Sequence, residues 1–174
     1  RSAATTTEMA RDLTQRLATL GRAQDLIRPV AGTGAREAAL LADLFAVLLA
    51  PYDDRGVIGD RIRVSVPEAR VGEAAAMTLA LVVHELATNS VKYGSLSVAG
   101  GTLDVSCARH DGEVAIVWTE RGGPPVSAPT GPGGFGSKLV ARSVSSQLGG
   151  SISHDWTPEG LIVTLRINRQ RLAA

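Results

Sequence analysis

Very little in this chain is aromatic, sulfur-containing or strongly charged. Only 3% of its 174 residues are aromatic, so the interior has to be built mostly from Ala, Val and Leu. The single cysteine, Cys107, excludes an internal disulfide and suits a reducing, cytoplasmic setting. A formal net charge of +1 supplies neither the basic field of a nucleic-acid binder nor an acidic tail. No unbroken apolar run reaches the roughly 18 residues of a membrane span, and no signal peptide is recognisable. What remains is 44% hydrophobic and 20% charged, the balance of one globular domain or one domain with an appendage. The chain begins at Arg1 rather than Met, so it is expected to be part of a longer protein.

Thr5-x-x-Glu8 has the pattern of a capping box, with a helix running on from it. Met9, Leu13, Leu17, Leu20, Gln24 and Ile27 follow at three- and four-residue steps and form one narrow apolar seam. Such a seam either meets a partner helix or docks on the rest of the chain. Pro29 to Gly34 is rich in helix breakers and marks a boundary between residues 1–28 and 35–174. A second helix is expected from about Ala35 to Ala50, stopped by Pro51. Ile62, Val64 and Val66 alternate with polar residues as a half-buried strand does. A long helix then leads to Gly94, placed as its left-handed stop. Strands at Thr102–Ala108 and Glu113–Glu120 are joined by Asp111-Gly112. A helix over Ser137–Leu148 and strands near Ser151–Asp155 and Leu161–Ile167 complete the chain. Helices and mostly antiparallel strands are grouped rather than alternating, which indicates an α+β two-layer sandwich.

The long helix carries LALVVHELATNSVKYG, Leu79 to Gly94, in which polar groups interrupt an otherwise buried run. Glu85, Asn89 and Lys92 fall at i, i+4 and i+7 and share one helix face. A carboxylate and an amide oxygen one turn apart are hard donors suited to Mg²⁺, which keeps waters and borrows oxygens from substrate phosphates. Lys92 can add positive charge near a phosphate. The alternative is a hydrogen-bonded Glu85–Lys92 or Asn89 network that merely satisfies itself. His84, a lone histidine beside a core face, reads as a packed residue by spacing alone.

Between Gly122 and Gly136 lie six glycines and four prolines. The segment runs into a helix, so Gly134, Gly136 and the backbone of Ser137, Lys138 and Leu139 can offer unpaired N–H groups and a helix dipole to an anion. A Walker A loop is excluded because the order is Gly136-Ser137-Lys138, and the dinucleotide fingerprint lacks its third glycine. The segment is either a flexible linker or a lid over a ligand. Upstream, Trp118-Thr119-Glu120-Arg121-Gly122-Gly123 ends a strand with an acid and glycines. Glu120 can accept from an exocyclic amine such as that of adenine, or it is a solvated strand-end charge.

In this order, the boxes resemble the ATP-binding domain shared by gyrase, a heat-shock chaperone, histidine kinases and MutL, a Bergerat-type fold. Within that group the chain is similar to the HWE subfamily of bacterial sensor histidine kinases. The subfamily is named for a His in the first box, here His84 in HELATNSVKYG, and a Trp-x-Glu, here Trp118-Thr119-Glu120. GGFGSKLV and Gln147 to Gly150 match as well. The resemblance implies ATP and Mg²⁺ as cofactors, with Asn89 on the metal and Glu85 assisting it or orienting the nucleophile. It places Glu120 and Gly122 at adenine with Thr164 reaching that side, Gly134, Gly136, Ser137, Lys138 and Leu139 at the phosphates, and Lys92 and Tyr93 along the nucleotide wall, with Gly123 and His84 beside them. It further implies a response-regulator receiver domain as partner and a homodimer formed through a helical hairpin.

Kinases of this type phosphorylate a His in an HRxKN-like setting on the first hairpin helix. None of His84, His110 and His154 has that context, and Arg1 to Arg28 resembles the second helix. The expected activity of this chain is therefore ATP binding. Two other readings use the same fold: an anti-sigma-type serine kinase, which lacks the hairpin and so fits the N-terminal seam poorly, and a non-catalytic nucleotide-binding or dimerisation module.

Overall fold

A computed structural model describes residues 6–27, 39–53, 61–110, 112–128 and 135–174. The elements in chain order are α1 (Thr6–Ile27), β1 (Ala39–Leu40), α2 (Leu41–Leu49), β2 (Ile62–Ser65), β3 (Arg70–Val71), α3 (Glu73–Tyr93), β4 (Thr102–His110), β5 (Glu113–Arg121), α4 (Phe135–Gln147), β6 (Ser151–Thr157), β7 (Gly160–Asn168) and α5 (Arg169–Ala173). Five strands form one sheet in the order β2-β4-β5-β7-β6, parallel between β2 and β4 and antiparallel elsewhere. β1 and β3 pair separately as a two-stranded antiparallel ladder.

Period-two side-chain alternation explains the layering. Val114, Ile116, Trp118 and Glu120 of β5 are buried on one face, beside Leu103 and Val105 of β4 and Val163, Leu165 and Ile167 of β7. That face meets Leu79, Val83 and Leu86 of α3, Leu44, Phe45 and Leu48 of α2, and Val140 and Val144 of α4 in a single core. The other sheet face carries Ser106, Thr119 and Arg166, which are half-buried or exposed. The result is the expected two-layer α+β sandwich. α3 is long and apolar enough to pass as a membrane span by composition, yet it is the central packed helix of this core.

Several local expectations need correcting. The second helix begins at Leu41, not Ala35: Ala39 and Leu40 pair with Val71 and Arg70 instead. The short β1–β3 ladder and α5 carried no readable signal, because two paired residues and a five-residue helix are too short for periodicity. Asn168 caps α5 by accepting from the Gln170 and Arg171 amides, and Gly72 donates to the Leu172 carbonyl. Gly94 does end α3, but with φ −104° rather than in the left-handed region. It is glycine for space: a Cβ there would run into the Glu120 carboxylate and the Ser90 backbone. Thr5, Pro29 to Gly34, Asp111 and Gly134 lie outside the described residues.

The apolar seam of α1 is only partly used. Leu20 and Ile27 are half-buried, whereas Leu13 and Leu17 are 58% and 61% exposed. α1 docks through an adjacent face, with Thr19 and Ala23 buried against the domain.

Candidate functional site

The polar face of α3 lies beside α1 and the start of α4. Helical spacing stacks Asn89 one turn above Glu85, and Asn89 Nδ2 donates to Glu85 Oε1 across 3.4 Å. The other carboxylate oxygen, Oε2, meets the Arg16 guanidinium of α1, also at 3.4 Å. Both partners of that pair are about one-fifth exposed, at 22% and 19% of their side-chain surface. Gly136, in the first turn of α4, closes the third side: a Cβ on it would overlap the Glu85 carboxylate. Arg16, Leu81, His84, Glu85, Gly136 and Leu139 surround a gap of about 10 Å³, at most room for one water. Of the self-satisfying alternative, the Asn89–Glu85 bond is formed, and Glu85 pairs with Arg16 rather than Lys92.

Lys92 and Tyr93 are exposed at the end of α3. Lys92 instead lines a cleft of about 340 Å³ with Gln15, Thr19 and Arg22 of α1 and with Tyr52 and Thr88. Ser137 and Lys138 are exposed on the first turn of α4, and Leu139 is half-buried. The amides of that turn have no intrahelical acceptor and, with the helix dipole, favour an anion.

His84 is 2% exposed, and its Nδ1 lies 2.9 Å from the Tyr52 hydroxyl and 3.4 Å from Thr19 Oγ1. It joins α1, the turn after α2, and α3.

Glu120 is 4% exposed and holds two bonds. Its Oε1 accepts from Trp118 Nε1 at 2.9 Å, and its Oε2 accepts from the Ser95 amide at 2.8 Å. Trp118 is therefore a packed residue with a polar task. Ser95 also approaches Ser90 Oγ through its own hydroxyl at 3.4 Å, while the Leu96 amide donates to Ser90 Oγ at 3.3 Å. Arg61 grips the same loop from below by donating to the carbonyls of Gly101, Leu96 and Val98. Gly122 adopts φ +69° and turns the chain away from β5, and Gly123 packs against the Ser95 backbone.

Thr164 does not belong with these residues. It pairs with Val117 in the β5–β7 register, so it lies on the sheet face opposite Trp118 and Glu120. Shifting the assignment by one residue along a strand changes the face, and here the inward positions are Leu161 and Val163. Arg16, Tyr52, Arg61 and Ser95 are the site residues the sequence did not indicate. Arg16 sits 69 positions from Glu85, with no local pattern to link them.

An all-protein metal cage is absent among the described residues: no three of His, Cys, Asp and Glu converge. A Glu85–Asn89 pair fits the partial oxygen set of a Mg²⁺ ion that draws its other ligands from water and phosphate.

The histidine kinase domain of a blue-light activated histidine kinase from Erythrobacter litoralis superposes with a TM-score of 0.68 over 93% of this chain and 78% of its own, at 19% identity. This is the fold of a histidine kinase catalytic domain. In sequence, the chain is 36% identical over 156 residues to blue-light-activated histidine kinase 1 of E. litoralis, and 33% identical over 165 residues to a blue-light-activated histidine kinase of Brucella anthropi. These matches take in 88% and 92% of this chain but only 42% and 32% of the relatives, so it spans well under half of their length. No protein-family model matches.

Proposed function

We propose that this chain is the ATP-binding catalytic part of a bacterial sensor histidine kinase of the HWE subfamily. The observation that carries the proposal is the adjacency of Glu85, Asn89 and Gly136, an oxygen pair on α3 facing the N-terminal turn of α4, on a histidine kinase fold. In this reading Asn89 and Glu85 hold Mg²⁺, which when bound screens the charge of the triphosphate. The amides of Gly136, Ser137, Lys138 and Leu139 face the phosphates, with Gly134 preceding them. Phosphoryl transfer depends on positioning and electrostatic stabilisation, which is what such a cradle supplies.

Glu120 serves the adenine end with Gly122 and Gly123. Its two bonds to Trp118 and Ser95 leave acceptor capacity on each oxygen. Lys92 and Tyr93 flank the nucleotide. Residues 1–28 are part of a dimerisation hairpin and 35–174 are the ATP-binding domain. The phosphoryl acceptor is a histidine outside this chain, and the product passes to a receiver-domain aspartate in a cytoplasmic, dimeric assembly.

Thermal unfolding tests the reading. ATP or ADP with Mg²⁺, at a hundredfold excess over Kd, should raise the midpoint by about 5–10 °C. No shift with either nucleotide contradicts it.

A further inference from the structure

One turn of α1 is fastened to one dipeptide of α3. Arg16 and Thr19, at i and i+3, share a face of α1. Arg16 meets the Glu85 carboxylate and Thr19 meets the His84 ring. A third element joins them, because the Tyr52 hydroxyl bonds the same Nδ1 of His84. Two contacts, about one turn apart on α1 and at successive residues on α3, fix the rotation of α1 as well as its height along α3. Neither contact alone would do so. Around them, His84 and Thr19 are almost wholly buried, at 2% and 1% exposure, so the polar link sits in a low-dielectric seam where it is costly to break.

The consequence falls on Glu85. Arg16 meets Oε2, Asn89 Nδ2 donates to Oε1, and Gly136 abuts the carboxylate. A Mg²⁺ ion takes oxygen ligands, and Oε2 of this carboxylate already faces a guanidinium. The guanidinium and the divalent cation are thus competitors for one carboxylate.

We infer that His84 is a positioning residue: through Thr19 and Tyr52 it seats α1 so that Arg16 is held on Glu85, and this sets how much Mg²⁺ the nucleotide site needs. The inference rests on the proposed metal role of Glu85. It gives His84 a task that packing alone does not, because the ring reaches α1 through Thr19 and the turn after α2 through Tyr52.

Two measurements on the full 174-residue chain test it. The first titrates Mg²⁺ at fixed ADP by calorimetry. Arg16→Gln should lower the Mg²⁺ midpoint about two- to fivefold, the size expected of a part-exposed ion pair. His84→Gln should move it in the same direction, and the double variant should go no further than Arg16→Gln alone, since both act through one contact. Thr19→Val and Tyr52→Phe, which leave the imidazole in place, should give smaller shifts of the same sign. A lower melting temperature with an unchanged Mg²⁺ midpoint in His84→Gln and both milder variants would reduce His84 to a structural residue and overturn the inference.

The second measurement needs no nucleotide. Spin labels at Leu17→Cys and Glu159→Cys, with Cys107→Ser, report where α1 sits on the domain. A single narrow distance that broadens in Tyr52→Phe and His84→Gln supports the latch, and an unchanged distribution overturns it. If the wild-type chain fails to bind Mg²⁺·ADP, the proposed function falls, while the label distances still decide whether His84 seats α1.

Discussion

Trp118 donates its indole N–H to Glu120 across 2.9 Å, from two positions away on the same buried face of β5. A carboxylate placed in a core requires donors, and Glu120 has two of them: this indole and the Ser95 amide, which belongs to the loop that follows α3. The Trp-x-Glu pair thereby ties the sheet to the C-terminal end of the polar helix.

Replacing that donor while keeping an aromatic ring isolates the bond. Trp118→Phe should destabilise the fold by about 1.5–3 kcal/mol, the range for a hydrogen bond to a charged group, plus a smaller packing loss. Urea denaturation measures it. A change below about 0.5 kcal/mol would mean that Glu120 is satisfied without the indole.

Gly94 is required by a close approach rather than by backbone conformation. Gly94→Ala should cost about 1–3 kcal/mol through overpacking against Glu120 and Ser90. Gly100→Ala, in the same loop, serves as control because a Cβ there meets nothing within 4 Å. Equal melting temperatures for the two variants would contradict this account of the helix end.

Partial desolvation, beside Trp156 on a largely exposed strand, holds the His154 imidazole below its ordinary pKa of 6.5. The unfolded chain therefore takes up this proton first as pH falls, and the unfolded state gains from it. The stability associated with neutral His154 is complete above pH 6.5 and is lost as pH drops from there through the folded-state value. The ring stacks on Trp156, with centroids 6.2 Å apart and planes 12° from parallel, so His154→Phe preserves the contact without a titrating group. Its stability should fall less than that of wild type between about pH 7.5 and about pH 5. Parallel pH profiles would contradict the assignment.

The proposed acceptor lies outside this chain. Incubation with γ-labelled ATP should leave no stable phosphohistidine on it, because His84 is enclosed by Thr19 and Tyr52 and His154 stands on β6, the far edge strand of the sheet. Label recovered on His84, His110 or His154 would overturn that proposal.

The strands and long helices were readable because their signals are local. The Asp111-Gly112 signal marks the Glu113–Glu120 strand, though not the burial of Glu120, and a four-residue step puts Asn89 over Glu85. What failed depended on distant contacts or on parity. The stop at Gly94 was visible, but its cause was not, because Glu120 approaches from 26 positions away. The resemblance alone implies Thr164 at the site, and one step of register decides its face. The leucine seam of α1 gave the helix but not the docked side, which is chosen by Thr19, Ala23 and the reach of Arg16 to Glu85.

The most direct test of the central claim is calorimetric titration of ADP into the wild-type chain and Asn89→Ala, each with and without Mg²⁺. The account predicts a wild-type Kd on the order of micromolar that depends on Mg²⁺. It also predicts a loss of about tenfold or more, roughly 1.4 kcal/mol, in Asn89→Ala. Equal affinity in the two proteins with Mg²⁺ present would contradict it.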